Sequence, residues 1–214
     1  MLSTTRAPQL ASVLIASGII LSLVMGVRHG FGFWLQPISQ AHQWTRETYS
    51  LAMAIQNLLW GVFGPLAGMA ADRLGAARVV FFGALMYAAG LLWMAAIDHP
   101  LVFVSGSGIL IGAAMACTAF GALSGIVGRT ASVAQRSWAF GILGAAGSFG
   151  QFAMVPIEQQ LIAITDWQQA LWILAAAITL VVLPLTLTLR EPTDRKSTRL
   201  NSSHVSESRM PSSA

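Results

Sequence analysis

Six apolar runs, each about as long as a bilayer-crossing helix, leave this chain little choice of solvent. A hydrocarbon core ~30 Å thick needs about 20 consecutive apolar residues in helical form. The breaks between the runs are short and carry nearly all of the charge. With 55% hydrophobic and only 9% charged residues, and a mean hydropathy of +0.67, the chain cannot cover a globular surface in water. Soluble domains carry roughly 25% charged residues.

Helices are expected near 10–37, 50–71, 77–97, 101–127, 137–157 and 167–189, giving an all-α membrane protein. The polar stretch Ser39 to Ser50 parts the first two. Asp72-Arg73-Leu74-Gly75 stops the second, and Asp98-His99-Pro100 turns the third into the fourth. Arg129 to Arg136 and Glu158 to Asp166 mark the remaining breaks. The first run is too long for a signal-peptide core and lacks a small-x-small cleavage site, so it reads as an uncleaved helix. Residues 1–9 form an N-terminal extension, 10–192 the six-helix unit, and 193–214 a polar, disordered tail.

The basic residues set an orientation. Arg6, Arg73, Arg78, Arg129, Arg136 and Arg190 alternate onto one side, and only Arg46 falls on the other. Cytoplasmic loops hold the positive charge, so both ends of the six-helix unit are expected in the cytoplasm of a bacterial inner (plasma) membrane. The net charge of +4 is therefore no nucleic-acid signature, and much of it belongs to Arg195, Lys196, Arg199 and Arg209 in the tail. A single cysteine, Cys117, excludes an internal disulfide, and no metal cluster or cofactor motif is present.

Small residues recur at packing intervals. Gly18, Ser22, Gly26 and Gly30 repeat every fourth residue, and Gly141, Gly144, Gly147 and Gly150 every third. Gly61, Gly64 and Gly68 flank Pro65 in the second run. Such stripes let helix backbones approach within a bilayer, which offers no hydrophobic drive for association.

Polar groups inside apolar runs are costly and point to function or pairing. Arg28 and His29 lie in the first run, Gln56 and Asn57 in the second, and Gln151 in the fifth. No Asp or Glu is expected inside any span. Arg28 cannot discharge itself and needs an anionic or carbonyl partner. Either a substrate carboxylate fills that role, or a structural partner does, or the side chain reaches the surface. Gln56, Asn57 and Gln151 fall at comparable depth and would orient an anion or tie helices together. His29 is a proton-coupling candidate or a structural histidine. Trp34, Trp44, Trp93 and Trp167 lie where interfacial rings anchor helices. The spans hold no nucleophile–base pair, so an enzyme is not expected.

Gly68-Met69-Ala70-Ala71-Asp72-Arg73-Leu74-Gly75-Ala76-Ala77-Arg78 resembles the signature loop between the second and third helices of the major facilitator superfamily. Gly68, Asp72, Arg73, Gly75 and Arg78 match its pattern, and Ala77 departs where a basic residue is usual. The resemblance implies the N-terminal half of a twelve-helix secondary transporter, built from two three-helix inverted repeats, with these residues gating at the cytoplasmic face. A C-terminal six-helix half would be its partner. Phe31-Gly32-Phe33-Trp34-Leu35-Gln36-Pro37, then Trp44-Thr45-Arg46 and Ser50, is similar to the oxalate/formate-antiporter and monocarboxylate-transporter branch. That implies a small organic anion as cargo, with Arg28, His29, Gln56, Asn57 and Gln151 as binding candidates. The other reading is a self-contained six-helix protein that dimerises into a channel or small transporter.

From Asp194 to Ala214 the chain resembles a translated sequencing-library adapter, in DRKSTRLNSSH and SRMPSSA. The native reading is expected to break off near Thr193 and the true protein to continue.

Overall fold

The computed structural model describes residues 6–96 and 99–189 of the 214-residue chain. Asp98, Arg190 and the tail 194–214 lie outside the described residues, as does the side chain of Arg6. Among the described residues the chain is helical throughout, and six helices are long and apolar enough to cross a membrane. They are α1 (Arg6–His42), α2 (Arg46–Leu74), α3 (Ala76–Ala96), α4 (Pro100–Thr130), α5 (Arg136–Ile164) and α6 (Trp167–Thr188). Arg73, Arg78, Arg129 and Arg136 fall at one end of the bundle, hereafter the basic end, and Arg46 at the opposite end.

Two helices overrun their expected limits. α1 passes straight through Pro37 to His42, and α5 passes through Pro156 to Ile164. Proline ends helices in water because freed carbonyls find solvent; in hydrocarbon the helix is kept and neighbouring groups take the strain. Pro65 and Pro184 are likewise internal to α2 and α6. The extension of α5 has a consequence for composition: Glu158 belongs to a span. The expectation that no acid lies within the six helices is therefore corrected.

Packing joins helix 1 with 5, 2 with 4, 3 with 6 and 3 with 4, and less extensively 1 with 6 and 1 with 4. Exchanging the first three helices with the last three leaves this set of pairs unchanged, which is the signature of a three-helix repeat used twice. Burial follows the same exchange. The most apolar windows of α2 and α5 are each only 17% buried, while those of α1 and α4 are 67% and 56% buried. α3 is as buried as α4, so α1, α3 and α4 form the interior of the unit, and α2 and α5 each leave a face open.

α1 and α5 run parallel and meet along matching small-residue stripes. Gly18 faces Ala146, Ser22 faces Gly150, Gly26 faces Met154 and Gly30 faces Glu158, always 128 residues apart. A Cβ on Gly26 would lie 2.7 Å from the Gly150 carbonyl oxygen, and one on Gly150 would collide with the Ser22 backbone. Ser22 Oγ donates to the Ala146 carbonyl at 2.5 Å across the same seam. Beside it, towards the basic end, an open apolar groove of about 880 Å³ is lined by Ile15, Ile19, Ile142, Phe149 and neighbours.

The other expected stripes fare differently. Gly147 packs on Leu21, but Gly141 meets nothing within 4 Å and Gly144 only the Phe120 ring at 4.0 Å. Gly61, Gly64 and Gly68 also meet nothing within 4 Å. The packing role expected of these five glycines is corrected: they lie on the open faces of α5 and α2. A period of three on a 3.6-residue helix drifts around the axis, whereas the four-residue period of α1 stays near one face.

α4 is irregular at two places. Val104–Leu110 is a π-helical stretch, in which Ser105 and Ser107 donate their hydroxyls back to Val102 and Phe103. Glycines fit its wide turn against neighbours: a Cβ on Gly108 would sit 3.1 Å from the Ala52 carbonyl oxygen of α2. At Ala119 the backbone becomes extended (ψ −175°) before helix resumes at Phe120. Thr118 Oγ1 bonds back to the Ala114 carbonyl at 2.9 Å immediately before this break. Such back-bonding bends helices. Cys117 lies in the same turn, half-buried and beneath Gly83 of α3.

Candidate functional site

The sequence-predicted binding residues separate into one pair and three single residues. Arg28 and Asn57 come together: Arg28 Nη2 donates to Asn57 Oδ1, bridging α1 and α2. Asn57 is itself oriented, because its Nδ2 donates to the Met53 carbonyl at 2.8 Å one turn earlier. The Arg28 guanidinium also lies over the Trp60 ring, 5.4 Å from its centroid. Indole faces attract such cations. Arg28 Nε is buried without a hydrogen-bond partner, and Arg28 makes no ion pair among the described residues.

Because α1 runs to His42, Arg28 is deeper than its sequence position suggests. Fourteen residues of helix place it roughly 21 Å from that end, close to the middle of a helix roughly 55 Å long. The guanidinium thus lies near the mid-length of α1 on a half-buried face beside exposed Asn57, clamped on one edge and open on the other.

Gln56 points elsewhere. It is 1% exposed, and its Nε2 donates to the Ser107 carbonyl at 2.8 Å, joining α2 to the π-helical stretch of α4. A wide helical turn loosens its own ladder and leaves a carbonyl to share. Gln151 is half-buried on α5, and no hydrogen bond joins it to Arg28. By the register of the seam it sits level with Leu23, about five residues or ~7.5 Å from the Arg28 level. His29 is exposed on the outer face of α1. The structure therefore brings together Arg28 and Asn57 and leaves the other three apart.

Two residues that sequence reasoning did not place here are prominent. Glu158 is 0% exposed, and its Oε2 accepts from Trp34 Nε1 at 2.7 Å. Its Oε1 has no hydrogen-bond partner. Gly30 makes room for the carboxylate, since any Cβ there would overlap it. Trp34 is fully buried, which corrects its expected place among the interfacial anchors. The missed signal was the four-residue period: Ala146, Gly150 and Met154 continue to Glu158 on the face turned towards α1. Nearby, Tyr49 donates its hydroxyl to the Phe31 carbonyl and Tyr87 donates to the Val24 carbonyl at 3.2 Å. Trp44 does sit at the opposite end, stacked on His42 with 4.3 Å between ring centroids, and Trp167 closes edge-on at 5.2 Å.

At the basic end, the loop between α2 and α3 has the geometry its residue types suggest. Gly75 caps α2 with φ +91°, a left-handed turn that only glycine adopts without strain. Its N–H donates to the Ala71 carbonyl at 3.0 Å. Asp72 Oδ1 pairs with Arg129 Nη1 at 3.4 Å, tying the end of α2 to the end of α4. Arg73 and Arg78 are exposed. Gly68 makes no close helix contact here.

The chain also resembles known proteins as a whole. Residues 13–209, more than half of its length, match the family model described as Major Facilitator Superfamily. A search of curated proteins gives no match. With six membrane-length helices packed as a doubled three-helix repeat, and the signature loop at the joint of α2 and α3, the chain belongs to the Major Facilitator Superfamily.

Proposed function

We propose that this member of a secondary-transporter superfamily is the N-terminal half of a protein that moves a small organic anion, a carboxylate, by alternating access. The observation that carries this reading is Arg28. A half-buried guanidinium at the mid-length of α1, held along one edge by Asn57 and Trp60, keeps Nε without a partner and has no counter-ion among the described residues. Arginine offers two parallel N–H donors that match a carboxylate, a fit that lysine does not reproduce. The aromatic-glycine stretch around Phe31 to Pro37 and the Trp44-Thr45-Arg46 loop favour the oxalate/formate or monocarboxylate branch.

In this reading the open faces of α2 and α5 receive a second six-helix half, and the site is completed between the two. Asp72, held by Arg129 of the same half, and the exposed Arg73 and Arg78 gate the basic end against the second half, at the cytoplasmic face, with both ends of the six-helix unit in the cytoplasm of the plasma membrane. The direct test is uptake of radiolabelled oxalate, formate and a monocarboxylate into proteoliposomes by the protein of the whole gene. Arg28→Lys is expected to lose saturable uptake. Unchanged uptake by Arg28→Lys would sink the anion reading. Reading the gene from source DNA past the Glu191 codon separates a second half from a second copy of the same six helices.

A further inference from the structure

Glu158 is the one buried acid among the described residues, and nothing in the anion site uses it. Three observations bear on its state. Its side chain is wholly buried between α1 and α5. One oxygen is taken by the Trp34 indole N–H, and the other has no partner. Among the described residues it makes no ion pair. The titratable groups within reach of its charge are Tyr49 of α2 and Tyr87 of α3, and both hydroxyls are already committed to carbonyls of α1. On α1 itself Arg28 turns towards α2, and His29 is exposed.

An isolated carboxylate ion in such a place is costly and needs a counter-charge. The Gly30 face of the carboxylate has no room for even a methyl group, and among the described residues no cluster of His, Cys, Asp or Glu could hold a metal ion there. A proton needs neither a cavity nor further ligands. We propose that Glu158 is a proton-binding site, loaded on Oε1 while the α1–α5 seam is closed, and that its release to water when the seam's far end opens couples transport to a proton. The second clause rests on the transport reading above; the first stands without it.

The O–H bond forms on Oε1, the oxygen that Trp34 does not use, and breaks when water reaches it. Trp34 holds Oε2 in either state and so acts as a positioning residue for the acid.

Infrared difference spectroscopy of the full chain in lipid tests the site directly. At neutral pH the wild type is expected to show the carbonyl-stretch band of a protonated carboxylic acid, and Glu158→Gln to lack it. Trp34→Phe keeps the acid but removes its donor, and should move the band to higher frequency. This second variant reports even if Glu158→Gln fails to fold. An absent band, or one that ignores both substitutions, overturns the proton site. For coupling, uptake into proteoliposomes is followed against pH. The wild type should vary by up to about tenfold per pH unit, the most one proton gives, and Glu158→Gln should be nearly flat. An equally steep Glu158→Gln profile overturns coupling through this residue. If the wild type moves no carboxylate at all, the anion reading fails while the infrared band still judges the proton site.

Discussion

Gly150 lies against the backbone of Ser22, with no room for a single methyl group between α5 and α1. The obstruction is main chain, not the tip of a flexible side chain, so relief requires the two helices to part. Gly150→Ala is expected to cost about 1–3 kcal/mol, the usual penalty of overpacking. Gly61→Ala, made where a Cβ meets open space, should be neutral or gain up to ~1 kcal/mol from helix propensity. Thermal unfolding of both variants in one detergent checks the contrast. Equal melting temperatures would contradict the packing of the seam.

Gly75 presents a different constraint, because its φ of +91° is a matter of backbone rather than space. Nothing lies within 4 Å of its absent Cβ. Gly75→Ala should therefore destabilise by about 1–2 kcal/mol through the left-handed turn alone. Gly75→Asn should lose about as much, because a ψ of 133° lies outside the left-handed helical well that asparagine tolerates. Denaturation of the three proteins side by side tests this, and a clear rescue by asparagine would contradict it.

Asp72 and Arg129 pair at 3.4 Å, but their side chains are 74% and 40% exposed. Exposed pairs contribute roughly 0–1 kcal/mol and less in salt. Asp72→Asn is expected to leave the melting temperature within about 2 °C while reducing uptake at least about tenfold, if the pair gates the basic end. Uptake at the wild-type level would remove the gating role.

Gln56 and Asn57 are neighbours with opposite expected phenotypes. Gln56→Leu removes the bond to the Ser107 carbonyl and should cost ~0.6–1 kcal/mol of stability with little change in anion affinity. Asn57→Leu removes the group that holds Arg28 in place, and should raise the KM for the carboxylate about tenfold with a smaller stability change. Melting and uptake kinetics on both variants are sufficient. A rise in KM for Gln56→Leu alone would reverse the two assignments.

Much of the fold was legible because the bilayer writes it in length and charge: the six spans and the sharing of basic residues need only a count. The stripe Gly18-Ser22-Gly26-Gly30 was legible as a packing face. Its partner was not, because Met154 is not small and Glu158 is neither small nor apolar. Glu158 itself was hidden by its own polarity, since with Gln159 and Gln160 it reads as the start of the loop that runs to Asp166. Arg28 with Asn57 was visible as polarity inside apolar runs. Gln56 could not be told from Asn57 by depth. The difference is 100° of helix rotation, which turns one towards α4 and the other towards α1.

The matched stripes of α1 and α5 carry a last implication. Sliding one helix along the other by a turn could still set Ser22 against Ala146 or Gly26 against Gly150, so the small-on-small part of the seam has no stop of its own. What breaks the periodicity is Met154 against Gly26 and, at the end, the Glu158 carboxylate, which fills the notch above Gly30 and meets the Trp34 indole. These contacts fix where along the seam the two helices rest.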